Sequence, residues 1–104
     1  MLKIKIPQRQ IISFCTKWKV AQLSLFGSVL RNDFGPASDI DVLVEFGSDA
    51  KWSLFDLSDM EDELSVIFQR RIDLVLKKGI EQSRNPIRRQ QILSSAQVIY
   101  DSAA

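Results

Sequence analysis

Asp39-Ile40-Asp41-Val42-Leu43-Val44-Glu45-Phe46 decides how this chain is read. Side chains along a strand point to alternate faces. Ile40, Val42, Val44 and Phe46 therefore share one apolar face, and Asp39, Asp41, Leu43 and Glu45 share the other. This is the pattern of a strand with one face on a core. Aspartate is a poor strand former, so an Asp-x-Asp at the head of such a strand asks for a reason.

Downstream, Arg71 to Lys77 reads Arg-Ile-Asp-Leu-Val-Leu-Lys, another strand. Ile72, Leu74 and Leu76 take its apolar face, while Asp73 and Val75 take the other with Arg71 and Lys77. If the two strands are neighbours in register, Asp73 stands on the same side as Asp39 and Asp41. Carboxylates gathered in this way repel and raise one another's pKa. A divalent cation cancels the repulsion. Aspartates at i and i+2 have Cα atoms about 6.6 Å apart, and their oxygens can converge on one ion or on a pair about 3.5–4 Å apart. The alternative is a solvated sheet face with ordinary alternation of polar side chains.

Upstream, Val20 to Phe26 reads as the first strand, ended by Gly27-Ser28, where a short helix begins. A glycine lets a phosphate approach the backbone, and the free amides of a helix start with a serine hydroxyl suit the outer phosphates of a triphosphate. Gly-Ser alone is a weak signal, since many strands end in such a turn. Its separation by ten residues from Asp39-x-Asp41 gives it weight, because a phosphate cradle and a metal site then belong to one segment.

The rest of the chain supplies the frame. Pro7 opens a helix from about Gln8 to Trp18, with Ile11, Cys15 and Trp18 on one face. Ser53 to Gln69 is a helix in which Leu57, Met60, Leu64 and Ile67 step by three and four. Asn85-Pro86 is a helix start, and a last helix is expected from Pro86 to Tyr100, with Ile92, Ala96 and Ile99 on one face. The expectation is an α/β (α+β) domain over residues 1–104, a small mixed sheet of about three strands flanked by about four helices.

Composition narrows the chemistry. The 104 residues include no histidine and one cysteine, which removes histidine-based triads, the usual zinc sites and an internal disulfide. Cys15 reads as core filler. Any metal must be held by oxygen, which points to Mg²⁺ or Mn²⁺. Fourteen basic against thirteen acidic residues leave a net charge of +1, so no overall field recruits nucleic acid or membrane, and no direct DNA binding is expected. No long apolar run is present, and a cytoplasmic location is expected. Arg84, Arg88 and Arg89 form a basic cluster on the last helix, either a solvated face or a dock for an acidic partner. Trp18, Trp52 and Phe55 are core residues or interface anchors, with core packing favoured for most of them.

The segment from Gly27 to Val44, Gly-Ser-Val-Leu-Arg-Asn-Asp-Phe-Gly-Pro-Ala-Ser-Asp-Ile-Asp-Val-Leu-Val, resembles the core motif of the DNA polymerase β-like nucleotidyltransferase superfamily, and within it the minimal nucleotidyltransferase (MNT) group. The later strand aspartate, Asp73, and the short chain match as well. Many members have glycine where Asn32 stands, and asparagine tolerates the same left-handed backbone. The resemblance implies the polymerase β-like palm fold and transfer of AMP from ATP in the presence of Mg²⁺ or Mn²⁺. It implies Asp39, Asp41 and Asp73 as metal ligands and catalytic residues, and Gly27, Ser28, Arg31 and Ser38 around the nucleotide. Arg31 can equally pair with Asp33, and Ser38 can simply close its loop. The resemblance further implies a hetero-oligomer with a HEPN-domain RNase toxin, silenced by AMP transfer to a tyrosine, the chain acting as antitoxin. Two alternatives stay open: an antitoxin that neutralises by contact alone, and nucleotidyl transfer to RNA or a small molecule. A chain of this length has no room for the fingers and thumb of a template-directed polymerase.

Overall fold

The computed structural model describes residues 4–30, 35 and 38–103. Pro7, whose ring fixes the backbone at a helix start, precedes helix α1, Gln8–Lys17. Strand β1 spans Val20–Phe26, followed by a turn of 3-10 helix, Gly27–Leu30, and strand β2, Ile40–Phe46. Helix α2, Leu54–Phe68, starts at a capping box: the Asp56 amide donates to Ser53 Oγ at 3.2 Å and the Ser53 amide to Asp56 Oδ2 at 2.9 Å. Strand β3, Ile72–Leu76, runs directly into a short helix α3, Lys77–Glu81. Helix α4, Pro86–Ser95, begins as its sequence signals, with Asn85 Oδ1 accepting from the Arg88 amide at 3.1 Å and proline in the first turn. Strand β4, Gln97–Asp101, ends the series.

The sheet order is β3-β2-β1-β4. β1 pairs antiparallel with β2 and with β4, and β2 pairs parallel with β3, so the sheet is mixed, as expected. It has four strands instead of about three. The last helix, expected to reach Tyr100, stops at Ser95, and the chain turns to extended backbone at Ala96 (φ −60°, ψ 134°). Val98, Ile99 and Tyr100 are β-branched or aromatic and favour the pleated surface. The free edge of β1 offers them a ladder, and backbone groups at a buried edge need partners. Ile92 and Ala96 remain on one side of the sheet, whereas Ile99 packs on the other. The short helix α3 was not expected either; it places Ile80 against the sheet.

Both faces of the sheet are covered. Beneath it, Ile11, Phe14, Cys15 and Trp18 of the α1 segment and Met60 and Leu64 of α2 close on Leu23, Leu25, Ile40, Val42 and Val44. Ile40, Val42 and Val44 are the apolar face that alternation assigns to β2. On the other face a smaller cluster of Phe26, Leu43, Ile80 and Ile92 joins α3 and α4 to the sheet. It covers only part of that face, and the remainder holds the acids. Trp18 and Trp52 belong to the main core, edge to face at 5.1 Å, with Trp52 Nε1 donating to the Trp18 carbonyl at 2.9 Å. Phe55 is 84 % exposed and is not a core residue. Among the described residues, no helix is long and apolar enough to cross a membrane.

Candidate active site

The parallel ladder sets Asp41 directly against Asp73, and the antiparallel ladder sets Phe26 against Asp41. Adjacent strands lie about 4.8 Å apart, so the two aspartates project side by side from the same face. Gly27 follows Phe26 and bends the chain over Asp41 with φ of +74°, a backbone conformation that L side chains rarely adopt. A Cβ on Gly27 would lie 3.2 Å from Asp41 Cγ and would overlap Asp41 Oδ2 outright. The glycine is therefore required twice over, by its φ and by the carboxylate that fills the space of its missing side chain.

These residues line a cleft of about 740 Å³. Asp41, Asp73, Phe26 and Val75 come from the strands, Gly27 and Leu30 from the 3-10 turn, and Arg88, Gln91, Ile92, Ser94 and Ser95 from α4. Asp41 is half-buried and Asp73 exposed. The backbone of Ser28 continues the turn begun by Gly27. Asp39 stands one residue ahead of β2, exposed, and among the described residues no group of three acidic side chains is gathered as metal ligands. The structure thus brings together Gly27, Asp41 and Asp73 and leaves Asp39 outside that group. Arg31 lies outside the described residues.

Ser38 closes its loop: its hydroxyl accepts from the Gly35 amide at 3.0 Å and its own amide donates to the Gly35 carbonyl at 3.1 Å. Arg70, which the sequence did not single out, secures the same loop by donating from Nη1 to the Gly35 carbonyl at 2.8 Å and the Ser38 carbonyl at 3.4 Å. The Ile40 amide bonds the Arg71 carbonyl at 2.9 Å, which starts the β2–β3 ladder next to Asp39. Arg70 follows the left-handed Gln69 (φ 55°) that ends α2, and only the folded chain reveals its reach. Of the basic cluster expected on the last helix, Arg84 precedes α4 and its cap Asn85, and the helix divides the other two. Arg88 lines the cleft, while Arg89 lines a separate pocket with Pro86, Gln90 and Leu93 and donates to the Ser83 carbonyl at 3.0 Å.

Comparison with known proteins identifies the family. Residues 8–99 match the nucleotidyltransferase domain family, and the chain belongs to that family. It is a nucleotidyltransferase with the mixed sheet of that fold. Among its relatives, a Methanocaldococcus jannaschii protein named protein adenylyltransferase is 36 % identical over 95 residues, covering 91 % of this chain and 96 % of that one. The protein adenylyltransferase MntA of Thermococcus cleftensis is 31 % identical over 65 residues, 62 % of this chain and 64 % of that one. A solved minimal nucleotidyltransferase superposes with a TM-score of 0.65 at 28 % identity, covering 86 % of this chain and 85 % of the other. The MntA–HepT toxin–antitoxin complex contains a chain of the same fold, with a TM-score of 0.61 at 18 % identity, covering 92 % of this chain and 71 % of that one.

Proposed function

We propose that this chain transfers AMP from ATP to a tyrosine hydroxyl of a partner HEPN-domain RNase toxin and so acts as the antitoxin of the pair. The observation that carries the reading is the placement of Asp41 beside Asp73 under the Gly27 turn, at the floor of the cleft. The names of the relatives support AMP transfer to protein, and the toxin–antitoxin neighbour supports a toxin partner.

The residues fit a hard divalent cation. Their donors are all carboxylate oxygen, and the missing Cβ of Gly27 leaves its space to the Asp41 carboxylate. Asp41 and Asp73 would hold Mg²⁺ or Mn²⁺, and Asp39, outside their cleft here, would have to turn toward them to join. When bound, the ion would offset negative charge on the phosphates and on the carboxylates. The Gly27–Leu30 turn, including Ser28, seats the outer phosphates. The acceptor oxygen forms a bond to the α-phosphorus, and the bond from that phosphorus to the bridging oxygen of the β-phosphate breaks, releasing pyrophosphate. Asp73, on the exposed edge strand, takes the proton of the attacking hydroxyl.

The test is incubation with Mg²⁺, ATP labelled at the α-phosphate and the co-expressed partner, followed by mass spectrometry. AMP on a partner tyrosine, lost in Asp41→Ala, is the expected result. Label on RNA or a small molecule would replace the acceptor. Absence of label together with tight partner binding would refute the catalytic reading and leave an antitoxin that works by contact.

A further inference from the structure

We infer that Arg88 is a triphosphate-binding residue, supplying from α4 the positive charge that the β- and γ-phosphates meet across the cleft from the Gly27 turn. The inference rests on the nucleotide reading of the cleft given above.

Three observations carry it. The first is charge. The described lining of the cleft holds two carboxylates, Asp41 and Asp73, and Arg88 is its one cationic residue among the described residues. A triphosphate brings several more negative charges to a floor that is already acidic. The net charge of +1 on the whole chain provides no long-range compensation, so the offset must be local. The second is position. Arg88, Gln91 and Ser95 are spaced by three and four residues, so they share one helical face, and all three line the same cleft as Gly27. Ile92, beside them, is buried against Phe26 and Leu43 and fixes that face toward the sheet. The third is availability. The neighbouring arginine, Arg89, uses its guanidinium to hold the Ser83 carbonyl, and Arg70 uses its own to hold the Gly35 and Ser38 carbonyls. No ion pair with an acidic side chain engages Arg88 among the described residues, and its backbone amide alone serves the Asn85 cap.

The chemistry suits phosphate. A guanidinium is always charged and offers a planar fork of donors that matches phosphate oxygens in pairs. A lysine at the same place gives charge without the fork. The cluster Arg84, Arg88 and Arg89 is thus three neighbours in sequence with different positions, and only Arg88 reaches the catalytic cleft.

Isothermal titration of the intact protein with Mg²⁺ and α,β-methylene ATP, whose α–β link resists cleavage, tests this, alongside ADP and AMP. Arg88→Ala is expected to weaken the triphosphate analogue by about 10- to 100-fold, the loss of one charge-assisted hydrogen-bonding group, and to leave AMP within about twofold. Arg88→Lys should recover part of the loss, and Arg89→Ala should bind like the unaltered protein. Melting curves of the variants verify that each is folded. Equal binding of the triphosphate by Arg88→Ala and the unaltered protein would overturn the inference while leaving the proposed function intact. So would a loss of the same size for AMP, which would put Arg88 at the nucleoside. Failure of the unaltered protein to bind any nucleotide with Mg²⁺ would refute the proposed function itself.

Discussion

Replacing Gly27 with alanine should damage stability and activity together, for two separable reasons. At φ +74° an L side chain is strained, which costs about 1–2 kcal/mol. For a domain of this size each kcal/mol lowers the melting temperature by about 4–8 °C, so a fall of roughly 4–16 °C is expected. The second effect is local. The new Cβ would fall 3.2 Å from Asp41 Cγ and within Asp41 Oδ2, so the carboxylate must turn away. Its displacement by about 1 Å is worth on the order of 100-fold in rate when the group takes part in chemistry. Calorimetry measures the first effect, and the rate of AMP labelling below the melting temperature measures the second. Gly79→Ala is the control: it lies in α3, where an added Cβ meets nothing within 4 Å. That change should be neutral or stabilise by about 0.4–1 kcal/mol through the unfolded chain. A Gly27→Ala protein that melts with the unaltered one and transfers AMP at its rate would refute the argument that glycine is demanded here by the Asp41 carboxylate.

Two further outcomes follow from the packing. Glu61 Oε2 accepts from the Leu74 amide at 3.0 Å on the edge strand β3, so Glu61→Ala should cost about 1 kcal/mol and lower the melting temperature; light scattering should also show more self-association, because that edge loses its cover. Burial pushes the Cys15 thiol from 9.0 up to about 12, so at pH 8 the folded protein should resist alkylation that proceeds in urea. The sign of the linked stability is fixed: the contribution is fully present below pH 9 and is lost as pH rises toward 12, since the unfolded thiol ionises first. Stability of Cys15→Ala, followed by urea titration from pH 8 to 11, should fall less steeply than that of the unaltered chain.

The amino-acid sequence by itself determined the elements that carry strong local signals. Alternation in Ile40–Phe46 named the buried face, and the structure buries Ile40, Val42 and Val44. Asn85 marked a helix start because a side-chain oxygen bonding an amide two or three residues on is a local interaction, and the spacing of Leu57, Met60, Leu64 and Ile67 marked another helix. The parity of Asp41 and Asp73, and the spacing from Gly27, were also legible, since strand period alone fixes which side a residue takes. What the sequence could not give was anything that depends on a distant partner. The stretch 96–101 has a helical spacing and a strand composition at once, and the open edge of β1 chose the strand. Arg70 reaches Gly35 and Ser38 across more than thirty positions, and no short-range pattern announces it. The same holds for Arg88, one of a basic cluster until α4 is laid on the sheet and Ile92 sets its rotation. Period fixes direction within an element, but only tertiary packing fixes which elements face each other, and the cleft exists between elements.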